Sequence, residues 1–198
     1  MTTTAWPAGP DDPATLARLH ARLAASADAD GTLDLAYRTL DTPLGLLLLA
    51  ATPAGLIRVA FASEDHDRVL AALADRVSPR VLRAPRRLDP AAAQLEDYLA
   101  GRRRTFDLPL DLRLTAGYRR EVLDHLRAIG YGRTETYAQV AAATGRPAAV
   151  RAVGTACATN PLPLVVPCHR VLRSDGSSGG YLGGVAVKAT LLALEGAA

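Results

Sequence analysis

Apolar and polar positions change their period along this chain, and the changes divide it. Residues 1–32 mix Thr, Pro, Ala and Asp with the single Trp6; Pro13 to Ala25 has the spacing of a short helix, and the rest reads as a flexible extension without an assigned function. From Leu33 the pattern turns to strands. Leu33 to Leu40 alternates, Thr42-Pro43-Leu44-Gly45 turns, Leu46 to Ala51 is a continuous apolar run, and Gly55 to Phe61 follows a second Pro-containing turn. This predicts an antiparallel meander of three strands. Helical spacing follows over Glu64 to Arg76 and Pro90 to Leu99, and Gly101-Arg102-Arg103-Arg104 closes the second helix. These three arginines read as a solvated helix end that complements the helix dipole. A domain boundary is expected near residues 105–112.

Beyond that boundary the spacing is helical almost throughout. Tyr118 to Ile129 predicts an amphipathic helix, and Gly130-Tyr131-Gly132 breaks it. Thr136 is placed to cap a helix that runs to about Ala143. Thr144-Gly145-Arg146 turns, Pro147 suits a first helical position, and a second helix is expected over Ala148 to Ala158. Two short helices across a Gly-containing turn read as helix-turn-helix. The second is built from small residues, Ala149, Ala152, Gly154, Thr155 and Ala158, with Arg151 its one long charged side chain. Close packing with Arg151 at the surface and a nucleic-acid-facing helix with Arg151 entering a duplex both fit that composition.

The fold class that results is α+β. A small N-terminal domain, 33–108, carries the three-stranded antiparallel sheet plus helices, and a mostly helical domain, 109–198, carries the helix-turn-helix. Composition narrows the picture only modestly. Of the 198 residues, 49% are apolar, enough for a core. No run of about 20 uncharged apolar residues suggests a membrane span, and no basic-then-apolar start suggests export, so a cytoplasmic protein without a membrane partner is expected. Net charge is +3. Residues 1–110 hold 13 Arg against 14 acids, and residues 111–198 hold 9 Arg and Lys188 against 6 acids. The second half is the more suited to a polyanion. Cys157 and Cys168 are too few for a disulfide framework. With His20, His66, His125 and His169 they show no zinc-ligand spacing, so no metal is expected.

The candidate chemistry lies in Asn160-Pro161-Leu162-Pro163-Leu164-Val165-Val166-Pro167-Cys168-His169-Arg170-Val171. Thiolate is the reactive form of cysteine, and a neighbouring His or Arg favours it. An ordinary thiol is about 3% ionised at pH 7, so full ionisation adds at most roughly thirty-fold, or about 2 kcal/mol. Lower nucleophilicity takes part of that back. Fast nucleophilic attack by such a thiol therefore also needs in-line positioning and stabilisation of the leaving group. Adjacent strand residues point to opposite faces, so His169 is expected to reach Cys168 through a bridging water. Glu195 then orients the imidazole as the third member of a nucleophile, base and orienter set.

Asn-Pro before Pro167-Cys168-His169-Arg170-Val171, then Gly180-Tyr181, Gly183-Gly184, Lys188, Leu191-Leu192 and Glu195, resembles the C-terminal signature of the O6-alkylguanine-DNA alkyltransferases. The resemblance is specific over about residues 115–196. Over residues 33–105 it is looser, carried mainly by the Thr42-Pro43-Leu44-Gly45 turn. It implies a ribonuclease H-like N-terminal domain, double-stranded DNA containing O6-alkylguanine as partner, no cofactor and no obligate protein partner. The implied activity is a single irreversible transfer of the alkyl group from O6 of guanine, and by extension O4 of thymine, to Cys168. Carried over by position, His169 and Glu195 form the relay and Asn160 supports the thiol loop. Tyr137 becomes donor to the leaving guanine. Arg151 fills the gap left by a flipped nucleotide, with Tyr137, Thr136, Ala149, Gly154 and Arg170 toward the DNA. Pro167, Val171, Tyr181, Leu182 and Gly183 wall the pocket. The chain departs from the family pattern at Tyr118, Leu123, Gly130 and Leu182, and the last of these bears on which alkyl groups fit.

Three other classes compete. A non-catalytic lesion sensor would bind alkylated DNA without transfer, but relatives of that kind replace the cysteine. A sequence-specific regulator would need Asn, Gln or Arg on the second helix to read base edges, and that helix offers only Arg151. A thiol hydrolase brings Cys and His together in space rather than in sequence.

Overall fold

The computed structural model describes residues 12–197. The expected meander is β1 (Leu35–Thr42), β2 (Gly45–Thr52) and β3 (Gly55–Phe61), with Thr42 paired to Gly45 and Leu47 to Phe61. Pro43 and Leu44 make the first turn. Thr42 Oγ1 donates to the Gly45 carbonyl at 2.6 Å and accepts from Leu44 N at 3.1 Å. The sheet is larger than expected, because β4 (Val81–Arg83) adds a fourth strand parallel to β1, in the order β3-β2-β1-β4. Three residues whose pairing partner lies more than forty positions away leave no periodic trace, so β4 was not visible in the chain.

Both faces of this sheet are covered. Alternate residues Ala36, Leu40, Leu47, Leu49, Ala51, Val59 and Phe61 join the main core, and Leu35, Ala50 and Ile57 join Leu73 of α2 (His66–Arg76) in a smaller one. That explains why β2 reads as an unbroken apolar run. α3 (Asp89–Leu99) buries Ala91, Ala92, Leu95 and Tyr98 in the main core. At its end Arg102 pairs with Asp97 at 2.7 Å, while Arg104 lies 5.4 Å over the Tyr131 ring.

The expectation of a flexible extension over 1–32 is corrected from residue 13 onward; Trp6 and the rest of residues 1–11 lie outside the described residues. α1 (Pro13–Ala29) is longer than the helix expected there. Asp12 caps it by accepting from Ala14 N and Thr15 N. It is fastened by buried Ala24, by His20 Nε2 on the Arg83 carbonyl at 3.2 Å and by an Asp28–Arg87 ion pair.

The helical part begins with α4 (Gly117–Leu126), which stops three residues before the expected Ile129. Thr136 caps α5 (Tyr137–Ala143) in a capping box with Gln139, as expected for that position. α6 (Val150–Ala158) starts two residues later than expected, since Pro147 and Ala148 remain in the turn. α7 (Val185–Leu194) follows, and Glu195 is its C-cap. Two strands of two residues each, β5 (Glu135–Thr136) and β6 (Val171–Leu172), pair in parallel and bring the start of α5 beside the segment that follows Cys168. Among the described residues no helix is long and apolar enough to cross a membrane.

The connector between the two parts runs along β3. Leu56 N donates to the Pro109 carbonyl and Asp111 N to the Leu56 carbonyl, both at 2.9 Å. Gly55 sits at φ +139°, and a Cβ there would lie 2.2 Å from the Pro109 oxygen. Backbone on both sides blocks relief. Gly55→Ala is therefore expected to lower the free energy of unfolding by more than about 2 kcal/mol, read as a lower urea midpoint at unchanged m-value.

Candidate functional site

Pro161 to Val171 is buried at every residue, although it forms no helix or strand before Cys168. Such a loop needs partners for its backbone, and Asn160 supplies several. Its Nδ2 donates to the Val166 carbonyl at 2.8 Å and to Cys168 Sγ at 3.1 Å, while its Oδ1 accepts from Leu162 N at 3.0 Å. Leu164 is held at φ +74°, a left-handed conformation that costs a non-glycine residue of order 1–3 kcal/mol. The strain is stored directly ahead of the thiol.

Cys168, His169 and Arg170 form one turn of 3-10 helix rather than a strand. The expected strand alternation is thus replaced by a turn. The Cys168 thiol is buried, and burial pushes its pKa up to about 11 against the lowering effects of the Asn160 hydrogen bond and the Lys188 charge. At pH 7 the ionised fraction is then roughly one in ten thousand. The expectation that its neighbours favour thiolate fails here, because desolvation outweighs them.

His169 is fully buried, and burial lowers its pKa, so the ring is neutral at pH 7. Its Nε2 lies 3.1 Å from Glu195 Oε1 and 3.3 Å from Tyr98 Oη. A carboxylate only accepts, so this network assigns the proton to Nε2 and leaves Nδ1 with a lone pair. Nδ1 is buried and has no hydrogen-bond partner among the described residues. Glu195 is buried, which raises its pKa, but hydrogen bonds from His169, Arg170 and Tyr98 outweigh burial and hold it well below the usual carboxylate range.

Arg170 does not face outward. Its Nε donates to Glu195 Oε2 at 2.9 Å and its Nη2 to Oε1 at 2.7 Å, and Nη1 bonds the Ile129 carbonyl. With 7% of its side chain exposed, it is removed from the DNA-facing set, since a bidentate buried carboxylate has already taken its fork. Tyr98, from the N-terminal part, was missed. It is fully buried and donates to Glu195 Oε1 at 2.5 Å. On α3 it reads only as one more core aromatic. Lys188, likewise buried, donates from Nζ to the Val171 carbonyl at 2.5 Å.

A cavity of about 500 Å³ is lined by Tyr137, Gly154, Ala158, Arg173, Gly179, Gly180, Tyr181 and Leu182. The Tyr137 hydroxyl crosses directly over Gly179, where a Cβ would be 2.5 Å from it. Burial raises the Tyr137 pKa, with the nearby cysteines adding to the effect, so the phenol keeps its proton at pH 7. Of the expected pocket residues, Tyr181 and Leu182 line this cavity. Val171 is fully buried and does not line it, Gly183 is covered by the Phe61 ring, and Pro167 lines a different cavity with Arg170, Tyr131 and Ile129. Along α6, Arg151, Ala152, Thr155 and Ala158 are exposed, Ala149 and Gly154 are half-buried, and Thr136 is occupied in capping α5.

Residues 35–112 match the profile described as 6-O-methylguanine DNA methyltransferase, ribonuclease-like domain, and residues 117–197 match its DNA binding domain. The chain belongs to the 6-O-methylguanine DNA methyltransferase family. It is 40% identical to a methylated-DNA–protein-cysteine methyltransferase of Mycolicibacterium paratuberculosis, over 80% of this chain and 91% of that one. Against the constitutive enzyme of that name from Bacillus subtilis it is 39% identical, over 80% and 94%. A Mycobacterium tuberculosis OGT crystallised in complex with DNA superposes with a TM-score of 0.70 at 36% identity, over 81% of this chain and 92% of that one. In family terms, the half of this methyltransferase that carries the helix-turn-helix also carries the thiol, while Tyr98 comes from the ribonuclease-like half.

A protonated, buried thiol sets an expectation for the free protein. Alkylation of Cys168 by iodoacetamide, followed by peptide mass spectrometry, should be at least about ten-fold slower at pH 7.5 than that of an ordinary thiol. It should rise about ten-fold per pH unit up to pH 10, and a plateau below pH 8 would show a thiolate already formed.

Proposed function

We propose that this methyltransferase repairs DNA by moving an alkyl group from O6 of guanine in double-stranded DNA to Cys168 Sγ, once per chain and irreversibly. The observation that carries the reading is the thiol itself: Sγ is gripped by Asn160 Nδ2 at 3.1 Å, in a turn whose next residue is a neutral imidazole with an unused Nδ1 lone pair. His169 Nε2 is fixed by Glu195, so Nδ1 is the atom that takes the thiol proton, by way of a bridging water.

The Sγ–carbon bond forms as the carbon–O6 bond breaks, both electrons of the latter leaving on guanine. The thiol proton ends, through the relay and solvent, on the guanine, which is restored. Tyr137 donates a hydrogen bond to the departing base, a role for which a phenol still protonated at neutral pH is suited. The thioether has no low-energy hydrolytic route back, so no cofactor regenerates the protein.

Reaching O6 requires the nucleotide to leave the stack. In this reading α6 lies against the duplex. Its exposed Ala152, Thr155 and Ala158 allow close approach, and Arg151, at its first turn, enters the gap. Thr136, Ala149 and Gly154 shape the surface from which Tyr137 projects. Tyr181 and Leu182, which line the same cavity as Tyr137, hold the base and its alkyl group. The chain divides functionally near residues 105–112, with the reaction in the second part. The cytoplasm is the compartment expected for two free cysteines.

The deciding test mixes the protein with excess duplex bearing one isotopically labelled O6-methylguanine, beside a Cys168→Ala control. Mass spectrometry should find one labelled methyl per chain, on the Cys168 peptide, and none in the control. Tight lesion binding without transfer would instead make the protein a sensor. For the donor role, Tyr137→Phe should slow single-turnover transfer by about ten-fold to a hundred-fold with lesion binding retained; a rate equal to wild type would remove Tyr137 from the chemistry.

A further inference from the structure

β3 belongs to the ribonuclease-like half, yet its end touches both sides of the thiol site. Val59 N donates to the Pro161 carbonyl at 2.9 Å, and Arg58 Nη1 to the Asn160 carbonyl at 3.4 Å. Arg58 is itself paired with Glu64, whose Oε1 accepts from Phe61 N at 2.9 Å. These bonds fix the backbone of Phe61 relative to the loop that holds Cys168.

Phe61 is 3% exposed, and its ring packs toward Tyr181 and Gly183. It meets Tyr181 edge-on, with centroids 5.7 Å apart at 67°. A Cβ built on Gly183 would lie 2.8 Å from its Cε1. Gly183 is not among the glycines with positive φ, so this ring, and not the backbone, demands glycine there. Nothing in the C-terminal motif required a residue from β3 to stand behind the pocket.

We infer that Phe61 is a specificity-determining residue for alkyl transfer: it backs Tyr181 and Gly183 and so sets how far the pocket wall can retreat from a larger alkyl group. This rests on the reading of Tyr181 and Leu182 as the pocket wall. Truncating the ring opens a void behind Tyr181, and the wall moves into it. A methyl substrate then loses contacts while a longer chain gains room, an exchange of the size usual for one or two methylenes in an apolar pocket. The same void accepts a Cβ on residue 183.

Single-turnover rates on duplexes carrying O6-methylguanine or O6-butylguanine test this with the full-length protein. Phe61→Ala should raise the butyl-to-methyl rate ratio by about ten-fold, and Phe61→Leu by about three-fold. Gly183→Ala should slow both substrates by at least about ten-fold, and adding Phe61→Ala should restore most of that loss. The rescue tests the steric contact, while a shifted butyl-to-methyl ratio is not expected of a residue that serves stability alone. Thermal unfolding and lesion-duplex binding establish that each variant is folded; if Phe61→Ala is not, Phe61→Leu carries the ratio test. An unchanged ratio in a folded variant, or no rescue of Gly183→Ala, overturns the inference. Failure of the wild type to transfer either group would overturn the alkyl-transfer reading itself, a different result from equal ratios.

Discussion

Five hydrogen bonds converge on the carboxylate of Glu195, from Tyr98 Oη, His169 Nε2, Arg170 Nε and Nη2, and Gly132 N. Four segments near the thiol hang from this one buried charge: α3 of the ribonuclease-like half, the Gly130–Gly132 break after α4, the 3-10 turn that carries Cys168, and the end of α7. A buried anion tolerates no missing donor, and removing one partner of such a pair costs about 3–5 kcal/mol. Stability and chemistry therefore meet in the same atoms. The carboxylate that tethers the two halves also decides which nitrogen of His169 carries the proton.

Local features of this site were readable from the chain, and contacts between distant residues were not. The Thr136 cap, the Thr42 to Gly45 turn and the burial of β2 follow from side chains within a few positions of one another. The Pro167 to Arg170 motif marked the thiol for the same reason. Tyr98 lies 97 positions from Glu195 and Phe61 more than a hundred from Gly183, so no spacing links them. Arg170 was misassigned because a guanidinium beside a thiol suits a phosphate or a carboxylate equally, and only the fold decides which it meets. β4 and the β5–β6 pair escaped because their pairing, not their composition, makes them strands.

Asn160 gives the thiol a direct polar contact, yet burial still wins and holds the proton on sulfur. Reactivity is thus not a standing property of Cys168. In the proposed reaction it depends on His169 Nδ1 accepting the proton when substrate is in place and on Tyr137 steadying the charge that departs. Positioning and leaving-group stabilisation must supply most of the rate, because ionisation in the resting protein supplies almost none.

The depth of Cys168 also bears on endurance. A residue that acts once and is not restored can be spent by anything that reaches it, and peroxides attack exposed thiolates, not buried thiols. With Cys168 3% exposed and its pKa raised by burial, the resting fold shields the sulfur from such attack until a lesion arrives. The fold that slows the thiol is what lets the protein wait.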